Sequence, residues 1–287
     1  MLTLDATPST LPPGAELAAR LEHEGYLVLP TGRALLERIG ALWRASHAFF
    51  SLPAARKLRN VLPEYDGYHP QGQEYSESPD RPDLAESFWC RLIHEHETWR
   101  LPDEEARSFH REALLTSAAI EALLRPVTER LARHYAEAFA PELAFACDKA
   151  SHLQFNRYQP RAQTREILAD VHEDGLYLTA LFADAAGLEV LTPDGAWQPL
   201  QPAPGELIVM PGEIFALLCG YRVQPLFHRV RNHPEVERRS SMMYFANPNP
   251  VRPFRPWRRD ASNKDVDIIA RAIENPTRYG LPPLPQV

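Results

Sequence analysis

His172, Asp174 and His228 are the residues of this 287-residue chain best suited by type and spacing to do chemistry. On a strand, a histidine and a carboxylate two positions apart point to the same face. A second histidine from a distant strand then completes a three-point cap on a metal ion. Two neutral imidazoles and one carboxylate suit Fe(II), and a cap on one face leaves the other coordination positions open for a co-substrate and for O2. Such a site supports oxidative chemistry. The triplet alone says little, because a chain with 11 histidines and 38 acidic residues is expected to contain roughly one His-x-Asp/Glu by chance.

The weight lies in the elements that must position these residues. After Asp174 comes a β-prone run, Gly175 to Phe182, and then Gly187-Leu-Glu-Val-Leu191, the turn Thr192-Pro-Asp-Gly195 and Ala196-Trp-Gln-Pro-Leu200. The last three read as a hairpin closed by Asp-Gly. Pro204-Gly205 and Pro211-Gly212 bracket a short strand, Glu206 to Met210. In Leu226-Phe-His-Arg-Val230 the alternation puts His228 and Val230 on one face and Arg229 and Arg231 on the other. Both histidines, and with them Asp174, are thus expected on strands.

Together these segments resemble the isopenicillin N synthase-like branch of the Fe(II)/2-oxoglutarate-dependent oxygenases. The shared features are His172-x-Asp174, the Gly187 to Leu191 hairpin with Trp197, Pro204-Gly205-Glu-Leu-Ile-Val209, Phe227-His228-Arg-Val230, an Arg-x-Ser strand ending at Asn247-Pro248, and Asn156-Arg-Tyr158. The first hundred residues resemble that family's N-terminal region through Leu21 to Leu29, Phe49-Phe50-Ser-Leu-Pro53 and Gly67-Tyr68. The resemblance covers nearly the whole chain. It implies a mainly β fold with helical flanks and a double-stranded β-helix core, the cupin-like jelly roll. It also implies Fe(II) held by His172, Asp174 and His228, with 2-oxoglutarate and O2 as co-substrates. The far carboxylate of 2-oxoglutarate falls to Arg239, Ser241 and Tyr158, with Asn156 beside them. The activity implied is oxidation of a small molecule by hydroxylation, desaturation or cyclisation, with release of succinate and CO2, in secondary metabolism.

Two registers fit the Arg-x-Ser pair. Counting forward from His228 gives Arg238 and Ser240, and counting back from Asn247-Pro248 gives Arg239 and Ser241. The second places Arg239, Ser241, Met243 and Phe245 on one strand face, and an extra residue in the loop Asn232 to Glu237 is easily absorbed. A guanidinium fork in an apolar strand suits a carboxylate ligand, to which Ser241 adds a hydroxyl. Arg-x-Ser does not prove use of 2-oxoglutarate, since isopenicillin N synthase and aminocyclopropane carboxylate oxidase keep it without consuming that co-substrate. An oxidase of that type is the first alternative, and a non-catalytic small-molecule-binding relative the second.

Composition agrees with one enzyme domain. With 44% hydrophobic residues the chain can bury a sizeable core. A net charge of −7 without a basic run argues against nucleic acid as a partner and leaves a small molecule as the substrate. No apolar stretch approaches a membrane span, and no leader pattern opens the chain. Cys90, Cys147 and Cys219 form neither a disulfide framework nor a zinc pattern, which points to the cytoplasm.

Along the chain, residues 1–150 read as a helical N-terminal region, 151–248 as the jelly-roll core with the iron site, and 249–287 as a segment packing on the barrel and closing its mouth. Helices are expected at 14–25 and 33–48 with a strand at 26–30 between them, a long helix from Asp103 or Glu104 to about Ala140 broken near Pro126, and a short one at 264–274. Residues 61–100 read as loops and short strands. Within them His94 and His96 paint a polar face rather than a second metal site, and Tyr68, Phe88 and Trp89 are either core aromatics or substrate contacts. Met242 and Met243 read as packing.

Overall fold

The computed structural model describes residues 11–63, 65–136, 149–247, 255–258 and 265–274. It is built in three layers. Helices α1 (Gly14–Glu24), α2 (Gly32–Phe50) and α4 (Glu104–Tyr135) lie on the outer face of a large sheet, and a small sheet faces its inner side. A short α3 (Ala54–Leu58) follows α2. On α2 the buried residues Leu35, Ile39, Leu42, Ser46, Phe49 and Phe50 recur every three to four positions, one stripe of a 3.6-residue period. The stripe turns that helix toward α4 and the sheet, where Phe49, Phe50, Phe88, Phe109 and Phe155 meet edge to face or tilted.

The large sheet contains β1 (Leu27–Pro30), β2 (Val61–Leu62), β3 (Asp66–His69), β4 (Ala85–Arg91), β5 (His152–Tyr158), β7 (Leu178–Ala183), β10 (Glu206–Pro211) and β12 (Arg239–Ala246). Their spatial order is β1-β10-β7-β12-β5-β4-β3-β2. The small sheet contains β6 (Ile167–His172), β8 (Leu188–Leu191), β9 (Trp197–Pro199) and β11 (His228–Arg231) in the order β6-β11-β8-β9. Every recorded strand pair is antiparallel. The two sheets face each other across an apolar layer that includes Leu181, Leu188, Val190, Ile208 and Met210. This is the double-stranded β-helix arrangement, as two facing sheets rather than a closed barrel.

Three expectations change. Residues 1–150 are not simply helical: β1 pairs with β10 and β4 with β5 along seven residues, so this region shares its sheet with the core. The segment at 61–100 hides that strand because Phe88, Trp89 and Cys90 are all buried, which masks the period-two signal. The helix α4 runs through Pro126 without a break, since Leu123, Leu124 and Val127 are anchored in the core on either side. It ends at Tyr135, and residues 137–140 of the expected span lie outside the described residues. The last described helix spans Ile268–Glu274 and starts later than expected because the Asp267 carboxylate accepts the Ala270 amide as a cap. Cys147, Pro248, the segment 249–254 and the proline-rich end, including any closure of the mouth, also lie outside the described residues. Among the described residues no helix is long and apolar enough to cross a membrane.

Candidate metal and co-substrate site

The small sheet presents the two histidines. β6 and β11 pair so that His172 lies directly opposite His228, and their rings come within 4.2 Å, centroid to centroid. Asp174 does not share the strand. β6 ends at His172, and Asp174 sits two residues on in the connection to β7. The turn is made there by backbone contacts: the Glu213 amide donates to the Asp174 carbonyl at 2.9 Å, and the Ile214 amide to that of Leu176 at 3.2 Å. A glycine is required opposite, because a Cβ on Gly212 would meet the Leu176 carbonyl oxygen at 2.0 Å. Thr179 on β7 donates to Asp174 Oδ2, while Oδ1 faces His228 Nε2 at 4.0 Å.

The histidines are held in one tautomer. His172 Nδ1 lies 2.8 Å from the Asp170 carbonyl and His228 Nδ1 lies 3.0 Å from that of Leu226. A carbonyl only accepts, so each Nδ1 carries a proton, and in the neutral ring this leaves the Nε2 lone pair for a ligand. Burial, and then the neighbouring His172, push the His228 imidazole down to about 4, which keeps it neutral. One ligand atom from each of the three residues falls within a 4.8 Å cluster, the only such group among the described residues. Donor set, tautomer and spacing therefore fit a divalent metal of the Fe(II) kind.

The same cavity, about 420 Å³, reaches the inner face of the large sheet. Arg239 and Ser241 point into it from β12, and Asn156 and Tyr158 from β5, with Arg239 opposite Tyr158 and Ser241 opposite Asn156 in the ladder. Arg239 is 1% exposed. Its Nη1 donates to Ser241 Oγ at 3.2 Å, its Nε has no partner, and its guanidinium lies 5.3 Å from the Tyr158 ring. Burial lowers its pKa from the usual range and pushes the Tyr158 phenol up to about 12. Gly187 makes room for the guanidinium: its φ is +136°, and a Cβ there would stand 3.1 Å from Arg239 Nε. A buried guanidinium without a carboxylate is costly, and its shape fits the end of a dicarboxylate. Arg238 and Ser240 face the other way, into a separate hollow beside Trp43 and Arg157, where Asp184 Oδ1 accepts the Ser240 amide at 2.7 Å.

The remaining sequence candidates separate cleanly. Trp89 lines the cavity, whereas Phe88 belongs to the outer aromatic core and Tyr68 donates to Glu86 at 2.8 Å. His94 is held by Asp66 at 2.9 Å and His96 is 92% exposed. Met242 lies in the outer core and Met243 in the layer between the sheets. The polar groups at the cavity that sequence reasoning does not find include Thr179, Gln154, and Glu74 and Asp83 from the loop between β3 and β4. Gln154 was findable, since His152, Gln154, Asn156 and Tyr158 alternate along one face of β5. Nothing local marks Glu74 or Asp83.

Residues 150–248 match the model of the 2OG-Fe(II) oxygenase superfamily. The chain is 35% identical over 121 residues to a 2-oxoglutarate-dependent dioxygenase of Gibberella zeae, an alignment covering 41% of this chain and 36% of that protein. It is also 35% identical over 114 residues to gibberellin 20 oxidase 2 of Oryza sativa subsp. indica, covering 39% and 29%. The matched part thus spans about a third of the length of these relatives. In three dimensions the chain resembles the full-length T7H of Neurospora crassa, solved in complex with alpha-KG, with a TM-score of 0.71 at 20% identity over 90% of this chain and 89% of the other. The matched segment is the one in which two facing antiparallel sheets bring His172, Asp174 and His228 together.

Proposed function

We propose that this protein is a 2-oxoglutarate-dependent oxygenase that oxidises a small molecule, releasing succinate and CO2. The observation that carries the reading is the pairing, in one cavity, of a His172/Asp174/His228 cluster having both Nε2 lone pairs free with a buried Arg239 guanidinium that lacks a carboxylate. His172, Asp174 and His228 are the ligands of Fe(II). When bound, the iron and its co-substrates supply the oxidising power that protein side chains lack. Arg239, with Ser241 and the Tyr158 and Asn156 side chains beside it, receives the far carboxylate of 2-oxoglutarate and so sets its orientation toward the ligand cluster. Thr179 orients the Asp174 carboxylate, and the two backbone carbonyls hold the imidazoles. Leu181, Leu188, Met210, Val230 and Met243 line the space between and exclude water from it. A cavity of this size accepts a compact metabolite rather than a polymer. The buried free thiols Cys90 and Cys219 suit the reducing cytoplasm.

The test is made on purified protein. Anaerobic addition of Fe(II) and 2-oxoglutarate is expected to give a weak visible charge-transfer band, and screening of small molecules in air to find compounds that stimulate succinate release in step with their own oxidation. Product formed without succinate, and without need of 2-oxoglutarate, would instead identify an oxidase of the isopenicillin N synthase type, with Arg239 serving a substrate carboxylate.

A further inference from the structure

The wall of the cavity beyond the ligand cluster is acidic. Glu74, Glu77, Asp83, Glu173 and Asp174 line the cavity, and the one permanent cation among its described lining residues is Arg239. With Asp174 and Arg239 committed to iron and to 2-oxoglutarate, the space left for substrate offers carboxylates and no lysine or arginine.

Two of these carboxylates are built in. Glu74 reaches in from the β3–β4 loop and is gripped by neutral donors: Trp89 Nε1 at 2.8 Å, Gln154 Nε2 at 2.9 Å and the Ser87 hydroxyl. His69 Nδ1 stands 3.6 Å away, but burial, and then Arg91, push that imidazole down to about 4, so it brings no charge. Without a cation beside it, Glu74 is itself driven up by burial, to about 7. Asp83 closes the same loop, its amide donating to the Glu74 carbonyl at 2.8 Å. Ser76 holds Asp83 Oδ2 at 2.8 Å, while Oδ1 is buried with no side-chain partner. His152 lines the cavity as well: it is 1% exposed, lies flat against Trp89 at 4.9 Å, and its Nδ1 has no side-chain partner. Unpaired buried carboxylate oxygens cost folding energy unless a ligand completes them.

We infer that the substrate carries a protonated amine, received by Glu74 and Asp83, next to a flat or apolar body that packs on Trp89. The inference rests on the oxygenase reading for the assignment of this space to substrate. A cation there restores the charge of Glu74 and supplies donors to Asp83 Oδ1. An ammonium group is favoured over a neutral group of equal shape, and a substrate anion is disfavoured.

The charge preference is measurable without turnover. Full-length protein, kept anaerobic with Fe(II) and 2-oxoglutarate, is titrated calorimetrically with 3-phenylpropylamine and with 3-phenylpropanol, which differ in charge and hardly in shape. The ammonium compound is expected to bind at least about tenfold more tightly, and that ratio to fall toward one in Glu74→Gln, in Asp83→Asn, or in both. Equal affinities, no binding of the amine, or a ratio unchanged in both variants would overturn the inference. The wild-type ratio stands even if Glu74→Gln disturbs the loop. Iron content and succinate release from the same preparations report separately on the oxygenase reading, which fails if both are absent while the charge preference persists.

Discussion

The two ends of the cavity are made by opposite means. At one end the side chains of His172, Asp174 and His228 are oriented by contacts short in sequence: Asp170 and Leu226 accept from imidazoles two residues away, and the Thr179 hydroxyl reaches Asp174 across five positions. At the other end Glu74 is gripped by side chains 13, 15 and 80 residues distant. The first arrangement repeats whenever the same strand pairs form, so it leaves a motif. The second depends on one loop lying over one sheet and leaves none.

The comparison breaks most sharply at the ligand cluster. His228→Ala or Asp174→Ala is expected to reduce bound iron from one per chain to near none and to abolish turnover, while circular dichroism and the melting transition stay close to wild type, because the two apolar layers rather than the metal hold the sheets. Full activity in either variant would remove that residue from the site.

Arg239→Ala comes next. Loss of a buried charged partner costs about 2–5 kcal/mol, so the apparent KM for 2-oxoglutarate is expected to rise by on the order of thirtyfold or more, with Arg238→Ala within about twofold of wild type. The reverse pattern would move the co-substrate site to the outer face of β12.

The acidic end is tested through pH. Burial raises Glu74 from its ordinary 4.5 to about 7 in the folded protein, so between these values the folded state holds a proton that the unfolded state has released. Stability therefore falls as pH rises from about 4.5 to about 7, by on the order of 2 kcal/mol from this group. Glu74→Gln is expected to flatten that slope in urea denaturation measured across the range, and a slope of the same size in the variant would assign it elsewhere.

Thr179→Val carries the smallest effect, about a tenfold loss of iron affinity with the ligands unchanged. An affinity equal to wild type would show that the Glu213 amide holds Asp174 unaided.

Legibility in the sequence followed range. The hairpin of β8 and β9 and the helices α1 and α2 were readable because turn residues and apolar period act within a few positions. The face shared by Arg239 and Ser241 was readable from alternation, but the choice against Arg238 and Ser240 rested on one loop residue. In the fold it is decided by which face of β12 looks inward. The strand β4 is obscured because residues 87–90 are all buried, and His-x-Asp alone does not reveal that β6 stops at His172, short of Asp174.

By itself the sequence determined the donor set, the tight turns and the alternating faces, since these depend on residue type and on backbone periods of 2.0 and 3.6. Only the tertiary structure decided that Asp174 lies beyond its strand, that Trp89 rather than Phe88 or Tyr68 reaches the cavity, and that Glu74 and Asp83 stand across from the ligands. Those placements depend on which loop covers which sheet. They are fixed by close packing between residues far apart in the chain, which no local pattern encodes.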